Sequence, residues 1–85
     1  MTEEEKQFLQ VVLYKAKKYK FRYIARNKNN DLWIYEEEPY KSEIYSEWVS
    51  NKWHMKINAP DNMFSFIKWE DKEPKGITKI IEENA

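Results

Sequence analysis

Residues 21–40 read FRYIARNKNNDLWIYEEEPY, and the alternation in this stretch decides the fold. Phe21, Tyr23 and Ala25 project to one side of an extended chain, with Arg22, Ile24 and Arg26 on the other, the period of two of a β-strand. The NKNN of residues 27–30 interrupts the run with side chains that tolerate turns and left-handed backbone. Alternation resumes at Asp31, with Leu32 and Ile34 on one face and Trp33 and Tyr35 on the opposite one. The pattern predicts a β-hairpin. Both of its faces are apolar, so it is either central and covered twice, or covered once and open to a partner.

Upstream the period changes to that of a helix. Thr2 with Glu5 three residues later is a capping-box pattern. Glu3, Glu4 and Glu5 lie where a helix dipole favours negative charge, and Lys15, Lys17, Lys18 and Lys20 lie where it favours positive charge. Phe8, Leu9, Val12, Leu13, Ala16 and Tyr19 share one arc, with Val11 at its edge, which predicts a helix over about residues 3–19.

Downstream, Pro39 ends the second strand or places it at an edge. KSEIYSEWVS (residues 41–50) reads as a strand, with Ile44 and Trp48 opposite Tyr45, Glu47 and Val49. KWHMKI (52–57) reads as another, after a tight turn at SNK, with Trp53, Met55 and Ile57 opposite His54 and Lys56. NAPDNMF (58–64) reads as a loop or one helical turn, FSFIKWE (64–70) as the last main strand, DKEPKG (71–76) as an exposed connection, and ITKIIEENA (77–85) as a short helix. The expected fold is therefore α+β: one N-terminal helix packed on an antiparallel sheet of about four strands, joined as a meander, with a short C-terminal segment. Residues 1–85 form a single domain in this reading. Because the chain has only one glycine, left-handed turn positions are expected at two or more of Asn27, Asn29, Asn30, Asn51 and Asn62.

The bulk numbers explain the rings. A chain of 85 residues buries only about 60–65% of the surface that its unfolded form exposes. Four Trp, six Tyr and four Phe supply large buried areas from side chains with few rotatable bonds. No cysteine is present, which excludes disulfides and thiolate chemistry and suits a reducing cytoplasm. No apolar run approaches the roughly 20 residues of a membrane span, and the MTEEEKQF start does not read as a signal peptide. These features point to a cytoplasmic protein without membrane contact. The formal net charge of zero conceals a split: residues 1–28 carry eight Lys/Arg against three Glu, residues 29–85 seven Lys against twelve Asp/Glu. Such a dipole either orients a partner or is neutralised when the halves fold together.

The residues give little support for chemistry. Asn27, Asn29, Asp31 and Glu38 fall at positions 1, 3, 5 and 12 of a calcium-loop register, but Leu32 stands where the sharp turn needs Gly. One histidine and no cysteine are a poor set for zinc. His54 lacks any nucleophile signature, and a single glycine rules out a glycine-rich phosphate loop. No catalytic residue, metal or cofactor is assigned. Protein binding reads best, since Trp and Tyr anchor interfaces and one helix can shield only one face of the sheet. Trp33, Tyr35, Tyr45 and Trp48 are the candidate anchors. Glu36, Glu37, Glu38, Glu70, Asp71 and Glu73 form a candidate acidic patch suited to a basic groove. One alternative is single-stranded nucleic-acid binding through Lys15, Lys17, Lys18, Lys20 and Arg22, interleaved with Tyr14, Tyr19 and Tyr23. Helical geometry divides those cations, with Lys15 and Lys18 on one side of the apolar arc and Lys17 and Lys20 on the other. A structural homodimer closed by the rings is a further alternative.

KFRYIARNKNNDLWIYEEEPYK (20–41) followed by FSFIKWEDKEPKGI (64–77) resembles small uncharacterised proteins encoded by phages and prophages of Gram-positive bacteria. In these a helix precedes a KYIARDKDG-L-Y-YE-KP hairpin and the chain closes with F-FIKWEDEEP. The hairpin and Ile67–Lys68–Trp69–Glu70–Asp71 are the most specific parts, and the Asp-Gly turn of that pattern is Asn29-Asn30 here. The resemblance implies a phage accessory protein of unassigned activity, with no catalytic residues to carry over. Because small phage accessory proteins often grip a host or rival-element protein, the expected role is inhibition or redirection of such a protein, of anti-defence or derepressor type.

Overall fold

Helix α1 (Glu3–Tyr19) begins as its capping box requires. The Thr2 hydroxyl accepts from Glu5 N–H at 3.1 Å, and Glu5 Oε1 accepts from Thr2 N–H at 3.0 Å. Leu9, Val12 and Ala16 form its buried stripe, flanked by partly buried Phe8 and Tyr19. The helix stops at Lys20, a left-handed residue with φ 61°, and Phe21 N–H then returns to the Ala16 carbonyl at 3.0 Å. The computed structural model describes residues 1–60 and 62–84.

The chain then forms an antiparallel sheet whose strands lie in the order His54–Ile57 (β5), Leu32–Tyr35 (β2), Tyr23–Arg26 (β1) and Lys75–Gly76 (β6). Strands β1 (Tyr23–Arg26) and β2 (Leu32–Tyr35) make the predicted hairpin, with Ile24 opposite Ile34 and Ala25 opposite Trp33. Strand β5 (His54–Ile57) extends it beside β2, and β6 (Lys75–Gly76) closes the other edge beside β1. Ile24, Leu32, Ile34 and Ile57 face α1 and the C-terminal helix α2 (Ile77–Asn84), whose Ile77 and Ile80 enter the same core. The short helix over residues 77–84 agrees with the sequence; Ala85 and Asp61 lie outside the described residues.

The connectivity differs from the expected meander. Residues 41–50 do not form one strand of this sheet. They belong to a separate two-stranded ribbon, β3 (Tyr40–Ser42) and β4 (Glu47–Val49), joined by a turn at residues 43–46. The Ser42 hydroxyl accepts from Tyr45 N–H at 3.3 Å and Ser46 is left-handed at φ 55°, so the chain reverses where alternation alone predicted extension. FSFIKWE is likewise not a strand: residues 62–66 form turns, and the sheet edge expected from this segment is supplied by Lys75–Gly76.

Turns replace that strand because side chains satisfy the backbone there. Arg26 ends β1 on the helix face, only 6% exposed. Its guanidinium donates to the carbonyls of Ile67 at 2.7 Å, Met63 at 2.6 Å, Phe64 at 3.2 Å and Asn30 at 2.8 Å. From the opposite side, Glu5 Oε2 accepts from Phe64 N–H at 2.7 Å. Phe64 is left-handed (φ 56°) and buried, a conformation that costs a non-glycine residue roughly 1–2 kcal/mol. Its N–H and C=O are thus held by opposite charges, and charge-assisted hydrogen bonds are the stronger kind. Met63, Phe64 and Ile67 are thereby pressed into the core. Among the described residues, only Asn30 (φ 81°) of the five expected asparagines is left-handed; Lys20, Ser46 and Phe64 take the other such positions. Tertiary hydrogen bonds, not turn propensity, decide at Ser46 and Phe64.

Two predictions follow from these contacts. Arg26→Lys keeps the charge but loses the planar fork, and should lower unfolding stability by about 3 kcal/mol, read as a fall in the urea midpoint. The hydrogen bond from Thr2, followed by that from Phe64, holds the Glu5 carboxyl below its ordinary pKa. Its contribution is therefore complete above the ordinary Glu value of about 4.3 and is lost as pH falls through the lower folded-state value. Glu5→Gln should accordingly be less stable than the parent near neutrality, and the gap between their thermal midpoints should close on acidification below about pH 4.

Candidate functional site

The β3–β4 ribbon covers the sheet face that the helices leave open. Ala25, Tyr35 and Trp48 form a second buried cluster, with Tyr23, Trp33 and Trp69 packed around it. Three hydrogen bonds seat the ribbon. Trp48 N–H donates to Asn27 Oδ1 at 2.8 Å, Lys28 N–H to the Ser46 carbonyl at 3.2 Å, and the Tyr35 hydroxyl to the Trp48 carbonyl at 3.2 Å. Burial, followed by the nearby Glu47 carboxylate, raises the Tyr35 phenol above its usual pKa, so it remains a neutral donor. Lys41, opposite Trp48 in the ribbon, brings its ammonium to 5.2 Å from the Trp48 ring centroid and 4.5 Å from that of Trp69, and donates to the Trp69 carbonyl.

This arrangement corrects two of the four predicted anchors. Tyr35 is 1% exposed and Trp48 5%; both are core, because the ribbon supplies a second layer. Trp33 is half-buried beside them, its ring 5.4 Å from that of His54. Trp48 Nε1 is buried without a hydrogen-bond partner among the described residues. Of the four, Tyr45 alone is prominent, 73% exposed, and it is joined by Ile44, 89% exposed, which alternation had placed on the same face as Trp48. Tyr40, opposite Val49 at the start of the ribbon, is also exposed. The local signal missed in the sequence is Ser42, whose hydroxyl accepts from Tyr45 N–H as turn serines do; the hydrogen bond from Lys28 that holds Ser46 has no such local signal.

The charged candidates divide by position. Glu37, Glu38 and Glu70 are exposed, and Glu36 and Asp71 are partly covered. Asp71 Oδ2 accepts from Lys68 N–H at 3.1 Å, which gives it a local turn to hold. Glu43 and Glu47 are exposed beside the tip itself. The cations separate as helical geometry requires. Lys15 Nζ lies 3.8 Å from Met55 Sδ, and Lys18 Nζ sits over the Tyr14 and Tyr19 rings at 5.8 and 5.3 Å. Lys17, Lys20 and Arg22 border a groove between the helices, so the five do not make one continuous track. In the calcium-like register, Asn27 Oδ1 is turned to Trp48 and Asn29 Oδ1 accepts from Asp31 N–H at 3.0 Å. No cluster of His, Asp or Glu with metal-binding geometry occurs among the described residues, and no helix among them is long and apolar enough to cross a membrane.

Truncation should separate the two kinds of aromatic. Trp48→Ala is expected to cost about 3–5 kcal/mol, whereas Tyr45→Ala should stay within about 0.5 kcal/mol of the parent, both measured by urea titration. Comparison of the chain with protein-family models, with curated proteins and with solved structures gives no match.

Proposed function

We propose that this chain is a non-catalytic interaction module that grips another protein with the tip of its β3–β4 ribbon. The observation that carries this reading is the contrast between a tip offering Ile44 and Tyr45 almost wholly to solvent and a base seated on the sheet. Large apolar side chains at a turn gain about 1.5–3 kcal/mol each when fully buried by a partner. A ribbon already fixed in place loses little further entropy on binding. Glu43 and Glu47 flank the tip, so the complementary surface is an apolar recess with a basic surround, of the kind found beside nucleic-acid-handling grooves. Together with the resemblance to phage and prophage accessory proteins, this favours a host or mobile-element protein as the partner and inhibition or redirection as the outcome. Lys17, Lys20 and Arg22 stand apart from Lys15 and Lys18, which favours the protein partner over a nucleic-acid strand.

The test is crosslinked capture from induced or infected Gram-positive cells, with the parent chain set against Ile44→Ser/Tyr45→Ser. The expected result is a stoichiometric partner retained by the parent and lost by the double variant, whose thermal midpoint is unchanged. Equal recovery by both chains would remove the tip from consideration. Sedimentation of the purified protein covers the remaining alternative: self-association abolished by the same two substitutions would make the ribbon a homodimer contact instead.

A further inference from the structure

We infer that the groove between α1 and α2 is a second docking site, shaped for an acidic amphipathic helix of a partner protein and distinct from the ribbon tip. The groove has a volume of about 610 Å³ and a floor of Leu13, Ala16, Phe21, Ile77 and Ile81. Leu13, Ala16, Lys17 and Lys20 follow the three- and four-residue spacing of a single stripe on α1, and Ile77 and Ile81 are one turn apart on α2. Small Ala16 keeps the floor low between the two ridges, the shape into which a third helix packs at an axial distance of about 8–10 Å.

Charge selects the occupant. Lys17, Lys20 and Arg22 line this groove, and no carboxylate among the described residues does. Two of these cations are placed by the backbone. Lys20 is the left-handed residue that ends α1. Arg22 N–H donates to the Tyr35 carbonyl at 2.9 Å, while its own carbonyl accepts from Ile77 N–H at 2.8 Å. Their side chains remain exposed. A helix laying Leu or Ile residues on the floor and Glu or Asp along its flanks satisfies both the apolar and the cationic parts. Nucleic acid fits less well: bases need exposed rings to stack on, whereas this floor is largely aliphatic and its one ring, Phe21, is buried.

The experiment uses the full chain and synthetic helical peptides labelled for fluorescence anisotropy. One peptide carries a leucine stripe flanked by glutamates, one has the same composition scrambled, and one has lysines in place of the glutamates. The glutamate peptide alone should bind the parent chain, weakening with added salt and moving backbone amide resonances in residues 13–22 and 77–81. Lys17→Glu/Lys20→Glu/Arg22→Glu should weaken that binding by roughly tenfold or more and should newly accept the lysine peptide. That exchange of preference cannot arise from misfolding. Ile44→Ser/Tyr45→Ser should bind the glutamate peptide as the parent does, which separates this site from the ribbon tip. Failure of every peptide, equal binding of the scrambled one, or affinity indifferent to charge reversal would overturn the inference. So would preferential uptake of oligothymidylate, of laurate or of a second copy of the chain.

Discussion

Arg26 solves the main structural problem of this small protein. The segment around Met63, Phe64 and Ile67 must close one end of the core, yet it belongs to no helix or strand. Buried carbonyls without a ladder need donors, and the guanidinium fork supplies them to four backbone oxygens from one side chain. Glu5 completes the arrangement from the first turn of α1, tying the start of the chain to a point 59 residues later. Charged groups at opposite ends of one left-handed peptide hold three apolar side chains under the sheet.

The second layer follows a related logic. A chain with one glycine has few positions free of steric penalty in the left-handed region, and here Lys20, Ser46 and Phe64 adopt it. Further hydrogen bonds oppose the penalty at Ser46 and Phe64: the Ser46 carbonyl accepts from Lys28, and Phe64 is held by Glu5 and Arg26. The Ser46 turn lets residues 40–49 fold back as a ribbon that lays Trp48 against Tyr35 and Ala25. Much of the aromatic content is thus taken up by two cores on opposite sides of one thin sheet. The apolar side chains left exposed include Ile44 and Tyr45 at the ribbon tip and Val11, Tyr14, Trp53 and Phe66 elsewhere, and the helical side carries the largely aliphatic groove.

The opposite charges of the two halves also acquire a spatial meaning. Of the positive charge that the sequence concentrates before residue 29, Lys15 and Lys18 are turned onto sulfur and rings, Arg26 onto buried carbonyls, and Lys17, Lys20 and Arg22 border the inter-helical groove. Acidic side chains flank the ribbon tip on the other side of the sheet. The two proposed contacts therefore prefer partners of opposite character, and neither requires the other to be vacant.

Local patterns determined the helix with its capping box, the hairpin between Tyr23 and Tyr35, the strand at His54–Ile57 and the C-terminal helix. Each depends on periodicity or on a cap within a few residues. They also determined that Lys17 and Lys20 would part from Lys15 and Lys18, a consequence of helical geometry alone. Only the tertiary structure decided whether residues 41–50 extend or reverse, whether FSFIKWE pairs or turns, and therefore that Trp48 and Tyr35 are core while Ile44 is exposed. The reason is physical: Arg26, Glu5 and Asn27 satisfy backbone groups from 21 to 59 residues away, and contacts at that range leave no trace in local alternation.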